Sequence, residues 1–284
     1  MVEDTPQDED LAHSEVARGD TGPPVAHPRP DWDLGRLLEE WKFEPGELSA
    51  RCFVGHDGRQ KIQMRLELGI LQMEADGRPD GQRPGGVESL FEYHQEALRT
   101  AGPGATYRLT PDECLDLRHE ALLYYHRYLC CFCIGDFERM ERDTARNLAV
   151  FDFVRDHAEA AYDRESMEPY RPYVLMMQAR ARAGMALRCG RYAQALSAVE
   201  QGIAAIQALG VSQLGQSEPM GADEIEALQD LADEIRRSRP PTRLARLEAE
   251  LQAAVECEDY MAAARLRDLI RMERSSSEAP PSGR

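Results

Sequence analysis

The sequence predicts a mainly α-helical protein with one small β-hairpin near its N-terminus and a separate pair of short helices at its C-terminus. Three observations carry this. Residues 87–210 hold apolar stripes at helical spacing, broken by glycine turns. Residues 62–70 switch to alternation: Ile62, Met64, Leu66, Leu68 and Ile70 are interleaved with Gln63, Arg65, Glu67 and Gly69, a period a helix cannot use. Arg239-Pro240-Pro241 then halts the helical run, because two prolines remove two amide donors and fix two φ angles.

In chain order, residues 1–30 are acidic and then Pro/Gly-rich ("TGPPVAHPRP"), the composition of a disordered tail. Residues 31–86 form a small α+β segment. It opens with "DWDLGRLLEEW", a short helix capped by Asp31 or Asp33 that buries Leu34, Leu37, Leu38 and Trp41. The Asp-Gly turn in "HDGR" folds Cys52–Val54 back onto the alternating strand, and "ADGRPDG" is a second turn region.

Residues 87–238 form a helical domain. "VESLFEYHQEALRTAG" is one amphipathic helix that stops at a Gly-Pro-Gly break. Thr110 as cap and Pro111 at the first helical position open the next, whose apolar stripe is Leu115, Leu122, Tyr125, Leu129 and Phe132. A turn at Gly135 leads to "ERMERDTARNLAVFDFVRDHAEAAY". The same grammar recurs after "MEPYRP", with a turn at Gly190-Arg191-Tyr192 and Ala195 three residues beyond. The stretch "LRCGRYAQAL" resembles the turn of a tetratricopeptide repeat, which implies helical hairpins packed side by side as a platform. The two glycine turns stand 55 residues apart, well above the ~34 of that repeat. A generic helical bundle therefore stands beside it as the alternative. "ADEIEALQDLADEIRRS" supplies one more helix.

Charge narrows the function. The chain holds 51 acidic and 34 basic residues, a net charge of -17. That field repels phosphate backbones and anionic lipid and favours basic partners. Direct binding of nucleic acid or membrane is not expected. Seven cysteines, three of them in "CCFC" within an apolar run, match neither a secreted disulfide framework nor paired zinc-ligand spacing. They read as buried thiols of a reducing compartment. "MVEDTPQDEDLAHSE" has no apolar segment of a secretory signal, and no stretch reaches the ~20 apolar residues of a membrane span, so a cytoplasmic location is expected.

Motifs for chemistry are missing. "HE" at 119–120 is followed by His126, so the H-E-x-x-H spacing fails; His119 and His126 share a helical face but read as ordinary core or surface residues. No Gly-rich phosphate loop or G-x-S-x-G elbow occurs, and Cys130, Cys131 and Cys133 have no base beside them. No catalytic residue, cofactor or metal is expected.

Residues 239–274 read as a helical hairpin. Leu244, Leu247, Leu251, Ala254 and Val255 share one face; "ECEDY" interrupts; Tyr260, Ala263, Ala264, Leu266, Arg267 and Ile270 gather on one side of a second helix that Asp259 caps. Leu247 to Ile270, "LEAELQAAVECEDYMAAARLRDLI", is similar to the UVR motif, the short domain of the excision-repair proteins UvrB and UvrC. Tyr260, Ala263, Ala264, Leu266, Arg267, Asp268 and Ile270 fall on its pattern of an aromatic, small residues and Leu-Arg-Asp-x-Ile, while Cys257-Glu258-Asp259-Tyr260 departs mildly. The resemblance implies an association module. So small a hairpin has little core of its own, and Leu247, Leu251, Val255, Tyr260, Leu266 and Ile270 are its expected partner face. Arg267 and Asp268 either knit its rim or are solvated charges. From 236 to 274 nine arginines face seven acids, a weak footprint for DNA. Residues 275–284 read as a disordered tail.

The expected function is a non-enzymatic interaction protein that docks a protein partner, or itself, through this hairpin. Two alternatives stand beside it: an accessory factor in nucleotide excision repair that binds UvrB- or UvrC-like proteins, and an enzyme with its site within residues 31–126.

Overall fold

A computed structural model describes residues 33–102, 106–211, 220–241 and 243–277. The chain separates into two units at Lys42. In the first, α1 (Gly35–Glu40) is preceded by Asp33, whose Oδ1 accepts the Gly35 amide at 2.8 Å; Asp31 lies outside the described residues. The chain is mainly α as expected, but α1 has under two turns, too few to hide an apolar stripe. Leu34 and Leu37 are exposed, which corrects the expectation that they are buried.

The second unit begins with a three-stranded antiparallel sheet, β1 (Ala50–Val54), β2 (Gln60–Leu66) and β3 (Gly69–Glu74), in that order. Cys52 pairs with Ile62 across the Asp-Gly turn, as the sequence suggests. The alternating run 62–70 is two strands, however, split by a two-residue turn at Glu67–Leu68, with Leu68 93% exposed. Leu66 pairs with Gly69, Met64 with Leu71 and Ile62 with Met73. The turn reverses the parity, so Met73, rather than Leu68 or Ile70, joins Ile62 and Met64 in the core.

The helices follow: α2 (Leu90–Ala101), α3 (Pro111–Ile134), α4 (Phe137–His157), α5 (Ala161–Glu165), α6 (Arg171–Arg188), α7 (Tyr192–Val211), α8 (Ala222–Ser238), α9 (Arg243–Glu256) and α10 (Tyr260–Ser277). Among the described residues no helix is long and apolar enough to cross a membrane. Ser89 caps α2 by accepting the Glu92 amide, and Thr110 and Glu113 cap α3 reciprocally. Helices α3 and α4 pair, α4 packs on α6, and α6 pairs with α7, with α8 lying against both α6 and α7. The two hairpin turns are alike. Gly135 adopts φ 73° and Gly190 φ 67°, and the following residues reach back to helical carbonyls, Asp136 to Cys131 at 2.8 Å and Arg191 to Ala186 at 2.9 Å. At φ near +70° a side-chain Cβ is strained, which is why glycine sits there.

Helix α3 corrects the sequence reading most sharply. Its buried face is Cys114, Leu117, Ala121, Tyr124, Tyr128 and Cys131, together with the charged Glu120 and Arg127. The expected stripe is rotated outward: Leu122 is 49% and Phe132 38% exposed. Glu120 and Arg127, charged residues outside the expected stripe, are buried and paired. Arg127 donates from Nε and Nη2 to both Asp143 carboxylate oxygens at 2.7 and 2.9 Å. Its Nη1 reaches the carbonyls of Glu74 and Gly77 at 3.0 and 2.6 Å. Glu120 accepts the Leu90 and Phe91 amides at 2.8 and 3.2 Å, binds Arg146, and lies 3.3 Å from Arg78 Nε. The segment joining the sheet to α2 is thereby fastened to α3 and α4. Outside this pair of contacts, Asp76 holds Arg139 and Arg142 at 2.9 and 2.7 Å.

Two outcomes are expected. Asp143→Ala leaves Arg127 buried and unpaired, which costs about 3–5 kcal/mol in urea unfolding. The Asp76 carboxyl is held down to about 2, from 3.8, chiefly by the Arg139 hydrogen bond and then by Arg142. A depressed carboxylate adds stability above its unfolded value and loses it as pH falls through its folded one. Part of the chain's stability therefore disappears between about pH 4 and pH 2. That acid dependence is smaller in Asp76→Asn, as read from melting temperature against pH.

Candidate docking hairpin

Helices α9 and α10 pack on each other, and their rims are tied by Arg274 to Glu248 at 2.7 Å and Arg243 to Glu273 at 3.5 Å. These cross-links show that the helices are antiparallel. The seam between them is built at spacings of three and four residues. Leu244, Leu247, Leu251 and Ala254 are half-buried on α9; Ala263 and Ile270 are buried and Leu266 half-buried on α10. Small alanines let the backbones approach, so two short helices can close a seam with few large side chains.

The turn repeats the device of the two hairpins before it. Asp259 N–H reaches the Ala254 carbonyl at 2.8 Å and Glu258 N–H that of Val255 at 3.1 Å. The residue in the left-handed position is Glu258 at φ 57°, where the other two turns have glycine. Asp259 then caps α10, its Oδ1 accepting the Ala262 amide at 3.0 Å, as the sequence suggests.

The structure divides the expected partner face in two. Leu247, Leu251, Leu266 and Ile270 line the seam. Val255, 47% exposed, and Tyr260, 69% exposed, stand open on either side of the turn. Arg267 and Asp268 are exposed and lie 3.5 Å from each other, so they do not bridge the two helices. Sequence reading missed the bridges that do, Arg274–Glu248 and Arg243–Glu273; their signal was opposite charges flanking the seam positions. It also passed over Met261 and Leu269, which are exposed on α10. The tip carries Glu256, Glu258 and Asp259, and the open end carries Arg243, Arg246, Arg271 and Arg274. The hairpin is thus charged oppositely at its two ends.

Elsewhere, burial pushes the thiols of Cys114 and Cys130 up to about 11 and about 12, and that of Cys131 higher still, which suppresses thiolate chemistry. Cys52, Cys133, Cys189 and Cys257 are exposed, which corrects the reading of the cysteines as buried and of Cys133 as part of an apolar helix centre. Cys133 lies past the α3 face that meets the core, and its Sγ donates to the Leu48 carbonyl at 3.2 Å. Among the described residues no group of three or more His, Cys, Asp or Glu side chains could hold a metal ion.

Glu258→Gly removes the left-handed strain of a residue with a Cβ. It stabilises the hairpin by about 1 kcal/mol, measured as slower amide exchange along α10; unchanged or faster exchange contradicts the turn geometry. No protein-family model matches the chain, and neither a curated protein nor a solved structure matches it.

Proposed function

We propose that the chain is a non-enzymatic interaction protein of the cytoplasm that docks a protein partner, or a second copy of itself, through the α9–α10 hairpin. One observation carries this reading. Beyond Pro240-Pro241 the hairpin fills its own seam and leaves Val255 and Tyr260 exposed on either side of its turn. An exposed tyrosine and an exposed β-branched residue on a small support are suited to anchor an interface, because aromatic anchors in the centre of a contact contribute most of its affinity. The similarity of 247–270 to the UVR motif supports the same use. The seam residues Leu247, Leu251, Leu266 and Ile270 shape the surface from beneath, and Arg267 and Asp268 border it.

The test compares the full chain, the chain ending at 239, and Val255→Asp with Tyr260→Asp. Affinity capture and light-scattering mass are read for each. Both altered chains lose the bound protein or the self-associated mass, with affinity falling at least about tenfold, since a buried anchor is worth ~2 kcal/mol. Undiminished association by the Val255→Asp, Tyr260→Asp chain, with its helical content intact, overturns the proposal. The identity of the captured protein distinguishes a general docking role from an accessory role in excision repair.

A further inference from the structure

Where α6 turns into α7 the surface opens into a hollow of about 520 Å³, lined by residues 190–194 and by Arg239 and Pro240 of the linker to α9. A second hollow of about 470 Å³ adjoins it, shares Arg191 and Gln194, and adds Arg182. Among the described residues no Asp or Glu lines either one. In a chain with 51 acids and a net charge of -17, composition alone does not supply such a surface. Arg182 already holds Glu141 at 3.0 Å. Arg191 and Arg239 are exposed, and no carboxylate of the described residues pairs with either; Arg191 Nη1 donates to Gln194 Oε1 at 3.2 Å.

The hairpin tip has the opposite character. Glu256, Glu258 and Asp259 stand exposed between the exposed Val255 and Tyr260. No arginine of the described residues neutralises them. Glu256 accepts from Gln252 Nε2 at 2.9 Å, and Asp259 spends one oxygen on the Ala262 amide. The tip cannot reach the hollow of its own chain. Arg239 and Pro240 place that hollow at the hairpin's root, just before α9 begins at Arg243, and the 14 residues of α9 carry the tip about 20 Å away. The seam and the Arg274–Glu248 and Arg243–Glu273 bridges hold that distance.

We infer that the basic hollow receives the acidic hairpin tip of a second copy of this chain, with Arg191 and Arg239 taking carboxylates of the tip while Tyr260 rests beside Tyr192 and Pro240. Charge complementarity selects this occupant. The hollow carries arginines and no acid, the tip carries acids with no arginine on them, and one chain supplies both at equal concentration. In each copy the root and the tip stand one hairpin length apart. A two-fold axis therefore satisfies both contacts at once and closes the pair, leaving no half-contact to recruit a third chain. This pairing rests on the docking role proposed for the hairpin, and names its partner and the surface that receives it.

The test is the mass of the full chain by sedimentation over a dilution series. The native chain is a dimer that dissociates on dilution, and does so more readily as ionic strength rises toward ~1 M. Arg191→Glu with Arg239→Glu, and separately Glu256→Arg with Glu258→Arg, each weaken association at least about tenfold, or ~1.4 kcal/mol. Mixing these two altered chains restores the dimer. The acidic hollow of one meets the basic tip of the other, and the native tip and native hollow that remain meet as well. Arg191→Gln with Arg239→Gln also weakens association, which keeps the result decisive if a charge-reversed chain does not fold. A native chain that stays monomeric, arginine variants that associate as the native chain does, or a mixture that fails to associate overturns the pairing. The docking role fails separately, when the Val255→Asp, Tyr260→Asp chain associates undiminished. If that chain loses association while the arginine variants keep it, the hairpin docks elsewhere and only the pairing falls.

Discussion

The pairing of Arg127 with Asp143 joins three parts of the molecule at one buried point. The guanidinium spends two donors on the carboxylate of α4 and a third on carbonyls of the segment that leaves the sheet. Neither charge is accessible to water, so each depends on the other, and desolvation makes the arrangement costly to leave half-made. Glu120 does the matching task about two turns earlier on α3, where it collects the first amides of α2 and the guanidinium of Arg146. A helix start has free N–H groups and a positive end, so a buried carboxylate there meets donors and field together. The sheet and α2 thus add these polar contacts to the apolar ones made by Ile62, Met64, Met73 and Phe91, while the α6–α7 hairpin is held by apolar packing.

Closely related turns close three helical hairpins. After α3, α6 and α9 a left-handed residue lets the chain reverse, and the next amide reaches back to the helix. Two of these turns lie in the packed body and use glycine. The third, at the C-terminal hairpin, uses Glu258 and accepts some strain. Its tip gains a second acid beside Asp259 and faces solvent.

Much of this was readable from the sequence because local signals were strong. Thr110-Pro111, Gly135, Gly190, Asp259 and the proline pair at 240–241 each mark a helix boundary by a mechanism confined to a few residues. What was misread depended on tertiary contacts. The face of α3 was misplaced because buried Glu120 and Arg127 look like surface residues until their partners on α2 and α4 are known. The strand at 62–70 was misread because a two-residue turn without Gly, Asn or Asp carries no turn signal. Within the hairpin, periodicity identified the apolar residues, but one stripe serves equally for a seam and for an outward face. Only the pairing of α9 with α10 separates Leu247, Leu251, Leu266 and Ile270 from Val255 and Tyr260.

That separation between a self-filled seam and an open flank is what the proposed docking role depends on. It is tested most directly by a soluble paramagnetic probe in solution NMR of the full chain, at concentrations low enough to keep it monomeric. Strong relaxation at Val255 and Tyr260, with Ala263 and Ile270 shielded, is the expected pattern. Shielding of Val255 and Tyr260 in the free monomer, or relaxation of Ile270 as strong as that of Met261, contradicts it.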